Sequence, residues 1–137
     1  MNAQPDSTQL IRSWVAKAEE DYRCFQNLLK MGDDCPFDAV CFHAQQCVEK
    51  YLKARLLYLS IEFPKIHDIA AIIKLLPPGS NIPLSGAEQE KLTDYAWMSR
   101  YPGDWEPSTR LNAEEVVALA VKVRTAIRSS FQKDVLM

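Results

Sequence analysis

The chain has 137 residues, of which 47% are hydrophobic and 25% charged, enough to bury one core and typical of a single globular domain covering residues 1–137. No apolar run approaches the roughly 20 residues that a membrane-spanning helix needs, and the N-terminal segment lacks the basic start and apolar stretch of a secretory signal, so we expect a cytoplasmic protein. The net charge of −2 argues against broad electrostatic binding of nucleic acid, which needs a basic face, but it leaves room for a small basic pocket.

Helical periodicity recurs along the chain, whereas no convincing alternating strand pattern occurs, so the sequence predicts an all-α fold. The first helix is predicted from about Ser7 to Met31, where Gly32 is a natural stop. The second is predicted from about Phe37 to Ser60. Because the connection MGDDCP is short, these two long helices should pack antiparallel.

Two shorter helices are predicted next. The first of them follows His67 and ends at Pro77, because a proline disfavours helical conformation in the residue before it. After a loop, Ser85 and Glu88 have the spacing of a capping box, in which each residue's side chain binds the other's backbone N–H. This box should open a helix that runs to about Ser99.

The last predicted helix is long. Asn112 and Glu115 form a second candidate capping box at its start, and the helix should run to about Phe131. The expected architecture is therefore an up-and-down bundle of about five helices, with two long antiparallel N-terminal helices and a long C-terminal helix.

The second helix has an apolar arc and an opposite polar face when its residues are placed at intervals of about 100°. The apolar arc consists of Val40, Cys41, Ala44, Cys47, Val48, Tyr51, Leu52, Leu56 and Leu59. The opposite face carries His43, Gln46, Glu49, Lys50 and Lys53. Such a face is usually solvated, and the alternative is a small cationic surface that recognises phosphate or an acidic partner.

The first helix has an apolar stripe of its own, and three charged residues interrupt the apolar faces. The stripe consists of Leu10, Trp14, Ala18, Tyr22, Phe25 and Leu29. Asp21, Arg55 and Arg124 fall on the apolar sides of the first, second and last helices and form a candidate buried charge network. Such charges must be paired or reach water, so they indicate either structural ion pairs or a polar pocket for a ligand phosphate. Asp21 and Arg55 lie at different levels, which makes Arg124 the expected partner of Asp21.

The four cysteines do not have the spacing of a metal site. Cys24, Cys35, Cys41 and Cys47 form no CxxC pair, and only two histidines could join them. Cys41 and Cys47 lie on the apolar arc of the second helix, where a thiol packs as a small hydrophobic group. The sequence therefore predicts no metal site, no structural disulfide and no cofactor.

One segment resembles a known family. The stretch FHAQQCVEKYLKARLLYLSIEFPKIHDI resembles the signature of HEPN (higher eukaryotes and prokaryotes nucleotide-binding) domains: an aromatic residue, then QQ, EK, KA and a downstream HD. Trp14, Ala18, Asp21 and Tyr22 are similar to the opening of the family's first helix, and Arg100-Tyr101-Pro102 resembles an RYP element of one branch. The resemblance covers about Ser13 to Phe131.

This resemblance implies a helical bundle that usually forms a homodimer, often with a small nucleotidyltransferase partner encoded beside it as a toxin–antitoxin pair. Many members are metal-independent ribonucleases in which four to six residues separate an arginine from the histidine that follows it. Here the nearest arginines before His43 and His67 are Arg23 and Arg55, and neither gap fits that spacing. The catalytic pair therefore cannot be carried over.

We therefore expect a non-catalytic domain that binds a nucleotide, RNA or a nucleotidyltransferase-type partner. The candidate contacts are Lys50, Lys53, His67, Arg100 and Tyr101. Arginine grips phosphate in a planar fork, and lysines add point charges. Two alternatives remain: a ribonuclease with a non-standard site, such as His67 with Arg100, and a helical assembly module without a ligand. Aromatic residues outside the apolar stripes favour a homodimer; they are Phe42, Trp97 and Trp105.

Overall fold

The computed structural model describes residues 7–98 and 106–136, and these form an all-α bundle, as the sequence predicts. The five α-helices are α1 (Ser7–Leu29), α2 (Phe37–Tyr58), α3 (Ile69–Lys74), α4 (Gly86–Met98) and α5 (Arg110–Ser130). Short 3₁₀ turns cover Gly32–Asp34 and Lys133–Leu136. No helix in the described residues is long and apolar enough to cross a membrane.

The two long N-terminal helices pack antiparallel. Residues later in α1 contact residues earlier in α2: Trp14 lies beside Lys53, and Asp21 lies beside Lys50. The turn between the helices is possible because Gly32 adopts a φ of +71°, in the left-handed region that residues with a Cβ disfavour. The carbonyl of Gly32 also accepts a hydrogen bond of 2.8 Å from Arg110, which fixes the start of α5 at this end of the hairpin.

The central element of the bundle is α2, because α1, α3, α4 and α5 all pack against it. Its predicted apolar arc is buried, apart from the half-buried Leu59 at its end. The neighbouring helices surround α2 so widely that they also bury part of its opposite, polar face. Glu49 and Lys53, which the helical wheel places on the polar side, are only 3% and 4% exposed, so the interpretation of that face as a solvated stripe is wrong for these two residues.

Side chains cap the starts of α4 and α3. Ser85 and Glu88 form the expected capping box, with hydrogen bonds of 2.8 and 3.1 Å. Asp68 caps α3 by accepting the N–H of Ala71 at 3.1 Å. On α1, however, Leu10 is exposed while Ile11 is buried, so the predicted stripe is one position off at the start of the helix.

The start of α5 differs from the prediction. Thr109 is the cap, and the side chain of Asn112 completes the capping box by binding the backbone N–H of Thr109 at 3.0 Å. Glu115 lies beyond the box and pairs with Lys91 of α4 at 2.7 Å. Threonine is one of the residues preferred at a helix cap. Because Thr109 and Asn112 bind each other's backbone N–H groups, the helix begins earlier than the Asn112–Glu115 spacing predicts.

Candidate functional site

A buried carboxylate organises the centre of the polar cluster on α2. Glu49 accepts hydrogen bonds from Gln45, one turn before it, at 3.0 Å and from Lys53, one turn after it, at 3.1 Å. The spacing of four residues places the three side chains in one row along the helix. Gln46 extends the row by donating to the side-chain oxygen of Gln45 at 2.6 Å.

Lys53 is enclosed rather than exposed to ligand. Its ammonium group lies 5.6 Å from the ring centroid of Trp14 and 5.8 Å from that of Phe63, distances at which aromatic faces attract a cation. The charge of Lys53 is paired with Glu49, and its side chain is only 5% exposed. The structure therefore offers no direct route from Lys53 to a ligand phosphate.

His67 is the exposed end of this cluster. Its Nδ1 lies 3.1 and 3.0 Å from the two carboxylate oxygens of Glu49, yet 49% of the side chain is exposed. Because a carboxylate accepts hydrogen bonds, Nδ1 carries the proton, and Nε2 is left as the atom that can meet another molecule.

The backbone around His67 explains its position. The next residue, Asp68, is the cap of α3, and the N–H of Ile69 donates to the hydroxyl of Thr93 on α4 at 2.9 Å. This bond places the start of α3 against α4. One turn further along α4, Trp97 is 48% exposed, and its ring centroid is 6.3 Å from that of His67, edge to face. An imidazole and an indole therefore share one surface, here called the His67–Trp97 surface.

A second buried carboxylate has the same kind of partners. Asp21 of α1, 6% exposed, binds Lys50 at 2.6 Å and the Nδ1 of His43 at 2.8 Å. The prediction that Asp21 pairs with Arg124 is therefore wrong. Lys50, a predicted phosphate contact, instead forms an ion pair with Asp21.

Arg124 belongs to a third cluster, which joins α1, α2 and α5. It binds both carboxylate oxygens of Glu19 at 2.8 and 2.7 Å and lies over the ring of Tyr22 at 4.1 Å. Glu19 also accepts the hydroxyl proton of Tyr51 at 2.7 Å. Burial by itself would raise the pKa of Glu19, but the hydrogen bonds from Arg124 and Tyr51 outweigh it and lower that pKa.

Arg55 is in none of these three clusters. It donates to the carbonyl of Ser130 at 3.3 Å and lies over the ring of Tyr58 at 5.0 Å. Asp21, Arg55 and Arg124 thus occupy three separate places, and the expected single charge network is not formed. The reason is register: each acid pairs with the base at its own level of the bundle.

Of the predicted contacts, the structure brings Lys53 and His67 together through Glu49 and places Lys50 in the neighbouring Asp21 cluster. Arg100 and Tyr101 lie outside the described residues.

Glu49 and Gln45 were not identified from the sequence as site residues. The signal that could have identified them is the spacing of four residues between Gln45, Glu49 and Lys53, which places all three on one side of the helix. Within residues 7–98 and 106–136 no three His, Cys, Asp or Glu side chains converge as metal ligands would.

Comparison with known proteins gives a consistent result. A family model described as "HEPN domain" matches residues 11–130. The crystal structure of TT1696 from Thermus thermophilus is similar, with 27% sequence identity, a TM-score of 0.73 and coverage of 88% of this chain and 98% of that one. ST0689, described as an archaeal HEPN homologue, has 24% identity and a TM-score of 0.66, with coverage of 89% and 98%. No curated protein sequence matches the chain.

Proposed function

Because the chain belongs to the HEPN domain family, whose model matches residues 11–130, we propose that it is a non-catalytic helical domain that binds a nucleotide at the His67–Trp97 surface. The observation that carries the proposal is the combination of a buried Glu49–Lys53 pair with a half-exposed His67 held by it. A side chain fixed by a buried charged pair loses little rotational freedom when a ligand binds.

The chemistry of the surface suits a nucleotide. Trp97 offers an exposed indole on which a base can stack, an interaction that tolerates any base because every base has a π-face. When protonated, the Nε2 of His67 donates to a phosphate or sugar oxygen. The Glu49–Lys53 pair by itself is explained by stabilisation of the fold. The proposal therefore depends on His67 and Trp97.

Isothermal titration with ATP, GTP and AMP, with and without Mg²⁺, tests the proposal. His67→Gln should weaken binding by roughly 1.5–3 kcal/mol, the range for a charged hydrogen bond. Trp97→Leu should weaken it by about 1–3 kcal/mol, the range for one stacked base. Lys74→Gln, an exposed charge change on α3, and Leu111→Ala, an exposed apolar change on α5, are the matched controls. Equal affinity in all five proteins, or no nucleotide binding at all, contradicts the proposal.

A second candidate function follows from the contact between Glu49 and His67. A carboxylate that holds the Nδ1 of an imidazole is the arrangement found in general acid–base sites, which favours a ribonuclease with a non-standard site. A gel assay of metal-free protein on single-stranded RNA separates the two functions. Cleavage that His67→Gln abolishes would replace nucleotide binding by catalysis as the function of this surface.

We also propose that the chain assembles, as a homodimer and with a nucleotidyltransferase-type partner. Support comes from large apolar side chains on α5 that remain exposed, Leu111 at 64% and Val121 at 37%. Light scattering at micromolar concentration should give twice the chain mass of 15.6 kDa, and the monomer mass would contradict the dimer. Co-expression with a nucleotidyltransferase encoded beside the gene, followed by size-exclusion chromatography, tests the second partner.

A further inference from the structure

A groove lies along the C-terminal half of α1 and is bordered by His43 of α2. Its volume is about 670 Å³, within the range of sites that hold small organic ligands. Its lining includes Glu20, Arg23 and Leu28 of α1, Met31 just after the end of α1, and His43 of α2. None of these residues belongs to the His67–Trp97 surface.

The side chain of His43 is oriented by the buried carboxylate of Asp21. Its Nδ1 binds the 6% exposed carboxylate of Asp21 at 2.8 Å, and Lys50 neutralises the other carboxylate oxygen at 2.6 Å. Nδ1 therefore carries a proton, and Nε2 is the atom that His43 offers to the groove. The bond to Asp21 restricts the rotation of the His43 side chain, so that His43 is held in a fixed orientation at the groove.

The charges in the groove favour an anion. Glu20 is paired with Lys17 at 3.5 Å, outside the groove lining. In the part of the chain that the structure describes, Arg23 has no ion-pair partner and lines the groove with His43. Beside these polar groups, Leu28 and the exposed Met31 provide an apolar wall.

We propose that this groove binds a small organic anion. Its phosphate or carboxylate group accepts hydrogen bonds from Arg23 and, when His43 is protonated, from the Nε2–H of His43, and its apolar ring or chain lies on Leu28 and Met31. Arginine binds such groups with two parallel hydrogen bonds, and Met31 is a flexible thioether that adapts to the shape of an apolar group. The site is independent of the nucleotide proposal, since it uses the other histidine and the other buried carboxylate.

Proton NMR of the intact chain with phenyl phosphate as the probe tests this site. The chain has only two histidines, so two imidazole Cε1–H signals are expected, and His67→Gln assigns the signal of His43. Phenyl phosphate should shift the His43 signal saturably, and inorganic phosphate, which lacks the ring, should bind more weakly. Arg23→Gln should weaken phenyl phosphate binding about tenfold or more, the effect of one charged hydrogen bond.

Two further variants determine the sign of the charge that the groove prefers. Glu20→Gln should strengthen phenyl phosphate binding, because it removes a negative charge from the lining, and Lys122→Gln on α5 should leave it unchanged. Absence of a saturable shift overturns the proposal, as does equal binding by Arg23→Gln. Benzylamine binding that Glu20→Gln weakens would assign the groove to cations, and a His43 signal that moves only with protein concentration would assign it to a second copy of the chain. Either result also overturns the proposal.

Discussion

Both histidines of the chain have the same surroundings: each places Nδ1 on a buried carboxylate that also binds a lysine of α2. Glu49 holds His67 and Lys53, and Asp21 holds His43 and Lys50. In each case the lysine supplies a counter-charge to the carboxylate, and the Nε2 of the imidazole is not bound to that carboxylate. At the scale of single residues, these contacts orient one exposed imidazole, His67, and one half-buried imidazole, His43.

The dependence of Lys53 on Glu49 can be measured. Glu49→Gln leaves the buried ammonium group without its counter-charge and should lower the free energy of unfolding by about 3–5 kcal/mol. Adding Lys53→Met should restore most of that loss, because no unpaired charge remains. Urea unfolding followed by circular dichroism at fixed protein concentration measures both variants.

The control for this comparison is Glu115→Gln, which breaks the exposed pair with Lys91. Its effect should stay within about 1 kcal/mol, as is usual for surface pairs. A Glu49→Gln variant as stable as this control would show that the ammonium group of Lys53 does not need its counter-charge.

The thiols should differ sharply in reactivity. Cys24 is exposed, whereas Cys35, Cys41 and Cys47 are buried. Burial, the largest effect, raises the pKa of Cys41 and raises that of Cys47 to about 12. Because only the thiolate reacts, Ellman's reagent should modify about one thiol per native chain and all of them after unfolding. Cys24→Ser should remove the fast phase, and a fast phase that persists in this variant would contradict the described burial.

At the scale of elements, local capping decides where the helices begin, and packing decides which of their faces are buried. The boxes at Ser85 and Thr109 satisfy backbone N–H groups that the first turn of a helix leaves without partners. In α2, by contrast, neighbouring helices on several sides bury residues that a two-faced pattern places in water. A central helix therefore carries polar residues that must find partners inside the bundle.

The corrected start of α5 gives a direct prediction. Thr109→Ala removes the cap of α5 and should lower the free energy of unfolding by about 1 kcal/mol. Asn112→Ala removes the reciprocal half of the box and should also destabilise the protein, whereas Glu115→Ala changes a residue outside the box. Thermal unfolding of the three variants checks this. A larger loss for Glu115→Ala than for Thr109→Ala would place the cap at Asn112 after all.

At the scale of the whole molecule, the Glu19 cluster joins three helices that are distant in sequence. Glu19 comes from α1, Tyr51 from α2, and Arg124 and Arg128 from α5. The aromatic ring of Tyr22 covers the guanidinium group of Arg124. These contacts fix the orientation of α5 relative to the N-terminal hairpin in addition to the apolar packing of Val116, Val123 and Ile127.

This cluster predicts a loss of stability in acid. The pKa of Glu19 is lowered in the folded chain, so its contribution is present above the ordinary glutamate pKa of about 4.3 and is lost as the pH falls through the lower, folded value. Glu19→Gln should lower the free energy of unfolding by roughly 1.5–3 kcal/mol at pH 7, the range for hydrogen bonds to a charged group. The difference between the two proteins should shrink toward pH 3, as measured by urea unfolding at both pH values. A difference that does not change with pH would exclude Glu19 as the titrating group.

Much of this protein follows from its sequence alone: the all-α class, the order of the helices, the Ser85–Glu88 capping box, the apolar arc of α2 and the HEPN resemblance. Each of these depends on residues three or four positions apart or on the order of short motifs, which the sequence states directly. The choice of partner for each charge came only from the tertiary structure. Asp21 pairs with Lys50 and Arg124 with Glu19 because adjacent turns are about 5.4 Å apart, so a small difference in helix register exchanges one partner for another. The His67–Trp97 surface likewise exists because Thr93 binds the start of α3 to α4, a contact between residues too distant in sequence for any local pattern to predict.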